Sequence, residues 1–378
     1  MTGSQDAKRS SSPVIPAQAG IQSPTPAGIP LPPRPAQESP GLWTLAWRRL
    51  RQDMVGMVSL VIVAVYLAMM AASYFGLVAK DWNKEKGVSY ANPSFMAGAE
   101  NLEAKAMAQK EAAKAPPVDL SDIDPLAPRY KEWEERAAKI AVTEVKRAET
   151  LPFGGDKWGR DVLQKAVKGA EVSIFVGLVA ALLATTIGTI LGAIAGYFGK
   201  WANDLLEWVY NIFTSIPYIL LILSFAAVAA ATGKFGKGIV PIVLILSLTG
   251  WTGIYRLMRA EYIKHGSREY VKAAQAIGAS NLSRMFHHIL PNVSHVALVQ
   301  LSQHTVGFIK AEVILSFLGF GVPVDMVSWG TMLAEAQNEL VIGKWWQLVA
   351  AGASMAVLVT AFSLLTDSLR DALDPKLK

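Results

Sequence analysis

The sequence predicts an all-α, polytopic membrane protein with six transmembrane helices and a helical, charged insertion on one side. Three observations carry this. Of 378 residues, 52% are apolar and only 17% are charged, where soluble domains carry about 25% charged residues. The apolar residues collect in six long segments: 54–79, 172–198, 205–231, 239–258, 292–318 and 345–366. The charge collects between the first two, where residues 80–168 hold 16 Lys/Arg and 15 Asp/Glu.

Residues 1–42 are rich in Pro, Ser, Ala and Gln and show no apolar periodicity. Such a segment cannot bury enough surface to fold, so a disordered tail is expected. Residues 43–51 read as an interfacial helix carrying Arg48, Arg49 and Arg51. The uncharged run 54–79 would span roughly 39 Å as a helix. That exceeds the ~30 Å hydrocarbon core, so it can cross with tilt. A cleaved signal would have a shorter apolar core nearer the start. Segment 43–79 is thus an interfacial helix followed by the first span.

Within the insertion, 100–115 and 130–150 read as charged helices, separated by Pro116, Pro117, Pro125 and Pro128. Residues 169–378 form a five-helix core. Only 199–204 separate its first two spans, which predicts a tight hairpin. Gly188, Gly192 and Gly196 recur every four residues and should let another helix approach closely. Pro217 should kink the third span. Lys and Arg near the spans decide orientation. Arg48, Arg49, Arg51, Lys200, Arg259, Lys264, Arg268, Lys272, Arg284, Arg370, Lys376 and Lys378 flank one side; Lys234, Lys237 and Lys344 flank the other. Both termini are expected in the cytoplasm, and the 80–168 insertion outside, in the periplasm of a bacterium.

The cytoplasmic segment 259–291 is the most informative. Tyr270, Ala273, Ala274 and Ile277 recur at i, i+3, i+4 and i+7, one apolar face of a short helix outside the membrane. Gly278 fits its C-terminal cap. A second short helix is expected over 282–289, before Pro291. A helix–Gly–helix unit with small residues on its apolar face suits docking into a groove of another protein. The alternative is a helix lying on lipid, which Ala273 and Ala274 would grip weakly.

Lys272-Ala273-Ala274-x-x-x-Gly278, nine further residues, and then His288-Ile289-Leu290-Pro291 resemble the EAA signature of binding-protein-dependent ABC importer permeases. Lys272 stands where that signature has Glu, and His288 where it has Ile. His288 to Asn292 also resembles the wording of the dipeptide/oligopeptide subfamily. So do Phe153-Gly154-Gly155-Asp156 with Gly159-Arg160-Asp161, Ala195-Gly196-Tyr197-Phe198, Ile216-Pro217, Thr249-Gly250-Trp251, Leu315-Ser316-Phe317-Leu318-Gly319 and Leu369-Arg370-Asp371. The resemblance is dense over 150–378 and one of layout over 41–79; it does not reach 80–150. It implies an inner-membrane permease subunit whose coupling helix, with Glu269, Tyr270, Ala273, Ala274, Ile277, Gly278, Leu290 and Pro291, engages an ATPase. Its implied partners are a second permease, two ATPase subunits, a periplasmic binding protein and membrane lipid. A permease for nickel or another small cargo fits the same resemblance. A self-sufficient secondary transporter would instead need ion-coupling carboxylates or an inverted repeat.

Polar residues mark the fifth span. Gln300, Gln303, His304 and Glu312 are candidates for the translocation pathway, or for hydrogen bonds between helices. A charge at mid-bilayer costs about 2.5–3.5 kcal/mol, so Lys310 and Glu312 should face protein or water. Their spacing of two does not favour a pair. The absence of cysteine excludes disulfides and thiolate chemistry. His287 and His288 are adjacent and do not suit a metal site. No Gly-x-x-x-x-Gly-Lys-Ser/Thr occurs, so ATP would have to be used by partners rather than bound here. Neither a catalytic set nor a nucleic-acid surface is expected.

Overall fold

The computed structural model describes residues 42–96, 125–139, 147–233, 238–323 and 325–373, all within the unit Leu42–Lys378. The expected tail over 1–41, the expected helix over 100–115 and the flanking Lys234, Lys237, Lys376 and Lys378 lie outside the described residues.

Helix α1 (Leu42–Gln52) packs on the last helix, and its Arg49 Nη1 donates to the Ala372 carbonyl at 3.3 Å. Asp53 then breaks the helix and caps α2 (Met54–Tyr74), accepting from the Val55 amide at 3.0 Å. Its other oxygen accepts from the Ser368 hydroxyl at 2.5 Å, which ties α2 to the last helix. The first span thus stops at Tyr74, short of residue 79.

The insertion contains sheet as well as helix, which corrects the all-α expectation. Strand β1 (Gly87–Pro93) pairs in parallel with β2 (Ala148–Leu151), with Pro93 opposite Leu151. Helix α3 (Tyr130–Lys139) occupies the expected 130–150 stretch only in part, because Ala148–Leu151 is a strand. The pattern of charged helix formers in this stretch masks a strand whose partner lies far away in sequence.

Helix α4 (Val162–Phe198) has 37 residues, about 55 Å at 1.5 Å per residue. Asp161 caps it, accepting from the amides of Leu163 and Gln164. It runs straight through the expected boundary between 168 and 169. Its length carries the first turns, with Lys165, Lys168 and Glu171, beyond a ~30 Å apolar layer.

After Gly199 come α5 (Lys200–Thr214) and α6 (Tyr218–Thr232), whose axes meet at 86°. The expected single kinked span over 205–231 is therefore two half-length helices at a right angle. Pro217 has no amide hydrogen and disfavours helical backbone at Ile216. It sits extended at the start of α6, where its carbonyl accepts from the Leu221 amide at 3.0 Å. Helices α7 (Val240–Gly250) and α8 (Thr252–Gly266) form a gentler 41° bend at Trp251.

The short α9 (Glu269–Ala276) leads, through a helical turn at Asn281–Ser283, into a π-helical turn at Arg284–Ile289 and then α10 (Leu290–Phe317). The expected separate helix over 282–289 is thus continuous with the next span. Proline supplies no amide donor, so a π turn just before Pro291 places the change of hydrogen-bond register where one bond is missing anyway. Two further helices close the chain: α11 (Trp329–Val341), absent from the sequence reading, and α12 (Trp346–Leu373).

Among the described residues, α2, α4 and α12 are each long and apolar enough to cross a membrane, as are α5–α6 and α7–α8 if each bent pair is one span. Helix α10 has 28 residues but is not among them, with Gln300, Gln303, His304, Lys310 and Glu312 along its length. The central α4 contacts α2, α7, α8, α10, α11 and α12. Its glycine row meets α8: a Cβ at Gly188, Gly192 or Gly196 would lie 2.6, 2.6 or 2.5 Å from the carbonyl oxygen of Trp251, Tyr255 or Arg259. The two backbones touch along three successive turns, as the spacing anticipates. Gly192→Ala is expected to destabilise the protein by about 1–3 kcal/mol through overpacking. Gly352→Ala in α12, where an added methyl meets nothing within 4 Å, is expected to be neutral or to stabilise by up to about 1 kcal/mol. Thermal unfolding in detergent checks the pair; equal shifts would refute close packing at Gly192.

Candidate coupling surface and buried polar network

Helix α9 is held by one face and open on the other. Val271 is buried with Met258, Tyr262, Met285, Ile289 and Val293, and Ala274 is buried on the same side of α9. Tyr270, Ala273 and Ile277 are exposed, Ile277 at 84%. The expected docking face therefore divides. Ala274 anchors the helix to its own chain, because Val271 three residues earlier sets the buried side. Tyr270 accepts or donates at 2.8 Å to His265 Nδ1, fastening α9 to the end of α8. Burial lowers the His265 pKa and raises that of Tyr270.

Gly278 closes α9 in the left-handed region, at φ +86°. Its amide donates to Gln275, and the Ala279 amide reaches back to Ala274 at 3.0 Å. These two bonds form a Schellman cap. Glu269 is exposed in the first turn, where the helix dipole favours an anion. With Lys264, Ser267, Arg268 and Tyr270 it lines an open concavity of about 820 Å³. Leu290 packs into the core below, and Pro291 sits at the start of α10. Leu290 positions the segment, while Pro291 stays exposed. Lys272 is exposed.

Gln300 and Gln303 pair with each other at 3.1 Å on the side of α10 that also exposes Gly307 and Lys310. His304 is turned inward: it stacks on Phe308 and lies 3.4 Å from the Thr185 hydroxyl. Glu312 is completely buried. Its carboxylate accepts from Ser173 of α4 and Ser316 of α10, each at 2.6 Å. Ser173 in turn accepts from the Trp329 amide, and Ser316 from that of Val322. Glu312 thus joins α4, α10 and the start of α11, whose dipole favours an anion there. In this conformation it faces protein rather than an aqueous pathway.

A second polar cluster forms where α4 meets α11 and α12. The Lys165 ammonium, 1% exposed, donates to Asp156 at 2.8 Å, Glu335 at 2.7 Å and Gln347 at 3.1 Å. Asp156 also accepts from the amides of Trp158 and Arg160 at 2.9 Å. Trp346 Nε1 donates to the Gly155 carbonyl at 2.8 Å, across a glycine pair that leaves no room for a Cβ at Gly154. The Gly154-Gly155-Asp156 and Gly159-Arg160-Asp161 wording therefore builds a turn that caps α4 and seats its buried lysine. Nothing in the periodicity flags Lys165, whose partners lie 9, 170 and 182 residues away. Among the described residues no group of three or more His, Asp or Glu comes together to hold a metal ion.

Residues 188–378 match the family described as binding-protein-dependent transport system inner membrane component. Residues 41–80 match the N-terminal TM domain of oligopeptide transport permease C. The chain is 34% identical over 226 residues to the dipeptide transport system permease protein DppC of Bacillus subtilis strain 168, covering 60% of this chain and 69% of that protein. It is 31% identical over 252 residues to the oligopeptide transport system permease protein OppC of the same organism, covering 67% and 80%. The di/tripeptide transport system permease protein DppC of Pseudomonas aeruginosa strain UCBPP-PA14 is 33% identical over 226 residues, covering 60% and 72%. With the apolar helices and the segment between α8 and α10 in place, the chain belongs to the family of binding-protein-dependent transport system inner membrane components.

Proposed function

We propose that this chain forms half of the transmembrane pathway of an ATP-driven importer for dipeptides or oligopeptides, delivered by a periplasmic binding protein. The observation that carries the coupling role is the exposed face of α9, with Ala273 and Ile277 open beside the Gly278 cap and Tyr270 exposed but tied to His265. Two ATPase subunits supply the hydrolysis, and a homologous permease supplies the other half of the pathway. The chain itself binds no cofactor and catalyses no covalent step.

Six spans follow if α10 crosses with its polar side against protein: α2, α4, α5–α6, α7–α8, α10 and α12. Both termini then lie in the cytoplasm, with twelve flanking Lys/Arg inside against three outside. Of the pathway candidates on α10, Gln303 is exposed and Gln300, paired with it, is half-buried. His304 and Glu312 would join the pathway only after a rearrangement. Nucleotide-driven approach of the ATPases would draw the coupling helices together and tilt the spans. A mechanical link to the ATPases is required in this reading, because the sequence carries no Gly-x-x-x-x-Gly-Lys-Ser/Thr motif.

Proteoliposomes test this reading. Uptake of a labelled dipeptide is expected only with the second permease, the ATPases, the binding protein and ATP all present. Uptake by this chain alone without ATP would overturn it in favour of a secondary transporter.

A further inference from the structure

Helix α11 buries Trp329, Met332, Ala336 and Glu339 along one face. Three of these positions suit packing. The fourth holds a carboxylate that is 2% exposed, with no hydrogen bond of ordinary geometry at either oxygen, although the Lys157 amide approaches it. A buried polar group left without a full partner destabilises the fold. An apolar side chain would fill the same place in the stripe without that penalty.

The surroundings disfavour a charge there. Glu339 lies two residues before the end of α11 at Val341, where unpaired carbonyls make the negative end of the helix dipole. The charged groups around it are Asp156 from the loop before α4, Lys165 from α4 and Glu335 one turn earlier on its own helix. Helix α12 contributes the neutral Gln347, and Lys344 turns away to Asn92 at 3.3 Å. Lys165 is already engaged by Asp156, Glu335 and Gln347. An ionised Glu339 would set three carboxylates against one ammonium.

We propose that Glu339 is a proton-binding site, a neutral carboxylic acid that seats the last turn of α11 against α4 and the loop before it. Loss of the proton places an unpaired charge in that contact and loosens α11. Burial is the main cause that raises its pKa to about 7; Asp156 and Glu335 add to it, while Lys165 and the Lys157 amide oppose it. The sign follows from a folded pKa above the unfolded one. The stabilisation is fully present below the ordinary carboxyl value and is lost as pH rises through about 7.

The test uses the full chain in lipid nanodiscs, with infrared difference spectra taken between about pH 5 and 8. A protonated carboxyl C=O band should titrate near pH 7 in the unsubstituted chain and be missing in Glu339→Gln. Its melting temperature should fall across the same range, while that of Glu339→Gln stays level. Glu335→Gln leaves Glu339 in place and removes a neighbouring negative charge, so it should move the titration to lower pH. It also keeps the question open to measurement if Glu339→Gln does not fold. A band that persists in Glu339→Gln, no titrating band in the unsubstituted chain, or a midpoint unmoved by Glu335→Gln would each overturn the proposal.

Discussion

Replacing Lys165 by methionine is expected to cost about 3–5 kcal/mol, the range for removing one partner of a buried ion pair. Lys165 is the single cation among Asp156, Glu335 and Glu339, and its ammonium makes three hydrogen bonds out of water. Methionine keeps the apolar stem but leaves Asp156, fully buried, without its counter-charge. The loss should appear as a large drop in thermal midpoint. Adding Asp156→Asn removes the stranded charge while keeping an oxygen that can accept from Trp158 and Arg160. The double variant should recover part of the loss. Independent additive losses would mean the two side chains do not act as a pair.

The second large effect is functional. Ile277→Asp should leave folding nearly unchanged, since exposed substitutions shift stability within about 0.5 kcal/mol and Ile277 is 84% exposed. Against an apolar groove, a charge at an interface hot spot costs about 2 kcal/mol or more, roughly 30-fold in affinity. Substrate-stimulated ATPase activity of the assembled complex should fall accordingly. Gly278→Val should act in the same direction and also lose stability, because at φ +86° any Cβ is strained. Full stimulation by Ile277→Asp would exclude this face of α9 from coupling.

What the sequence makes legible is local. Unbroken apolar runs show α2, α4 and α12. The four-residue glycine spacing shows that α4 meets another helix closely, because small residues on one face have few other uses in a span; that the partner is α8 comes only from the structure. Gly278 shows its cap, because αL closure of a helix favours glycine. What stays hidden is set by distant partners. Ala274 and Ala273 look alike until Val271 fixes which side of α9 is buried. Pro217 signals a break but not its angle, which depends on how α5 packs on α4 and α6 on α7. Strand β2 lies within a charged, helix-prone stretch, and only its pairing with β1 makes it a strand. Helix α11 is too short and mixed to stand out between two spans. Glu312 reads in the sequence either as a pathway acid or as an interhelical hydrogen-bonding group, and the hydroxyls of Ser173 and Ser316 place it in the second role in this conformation.

We propose that the exposed face of α9 meets an ATPase subunit in the cytoplasm. The sequence has no cysteine, so Ile277→Cys gives one unique thiol. In the assembled complex, a short thiol-reactive cross-linker is predicted to join it to an ATPase subunit, with the yield changing on addition of ATP. Cross-linking to the binding protein or to lipid alone, or labelling of Ile277→Cys only from the periplasmic side, would contradict the account.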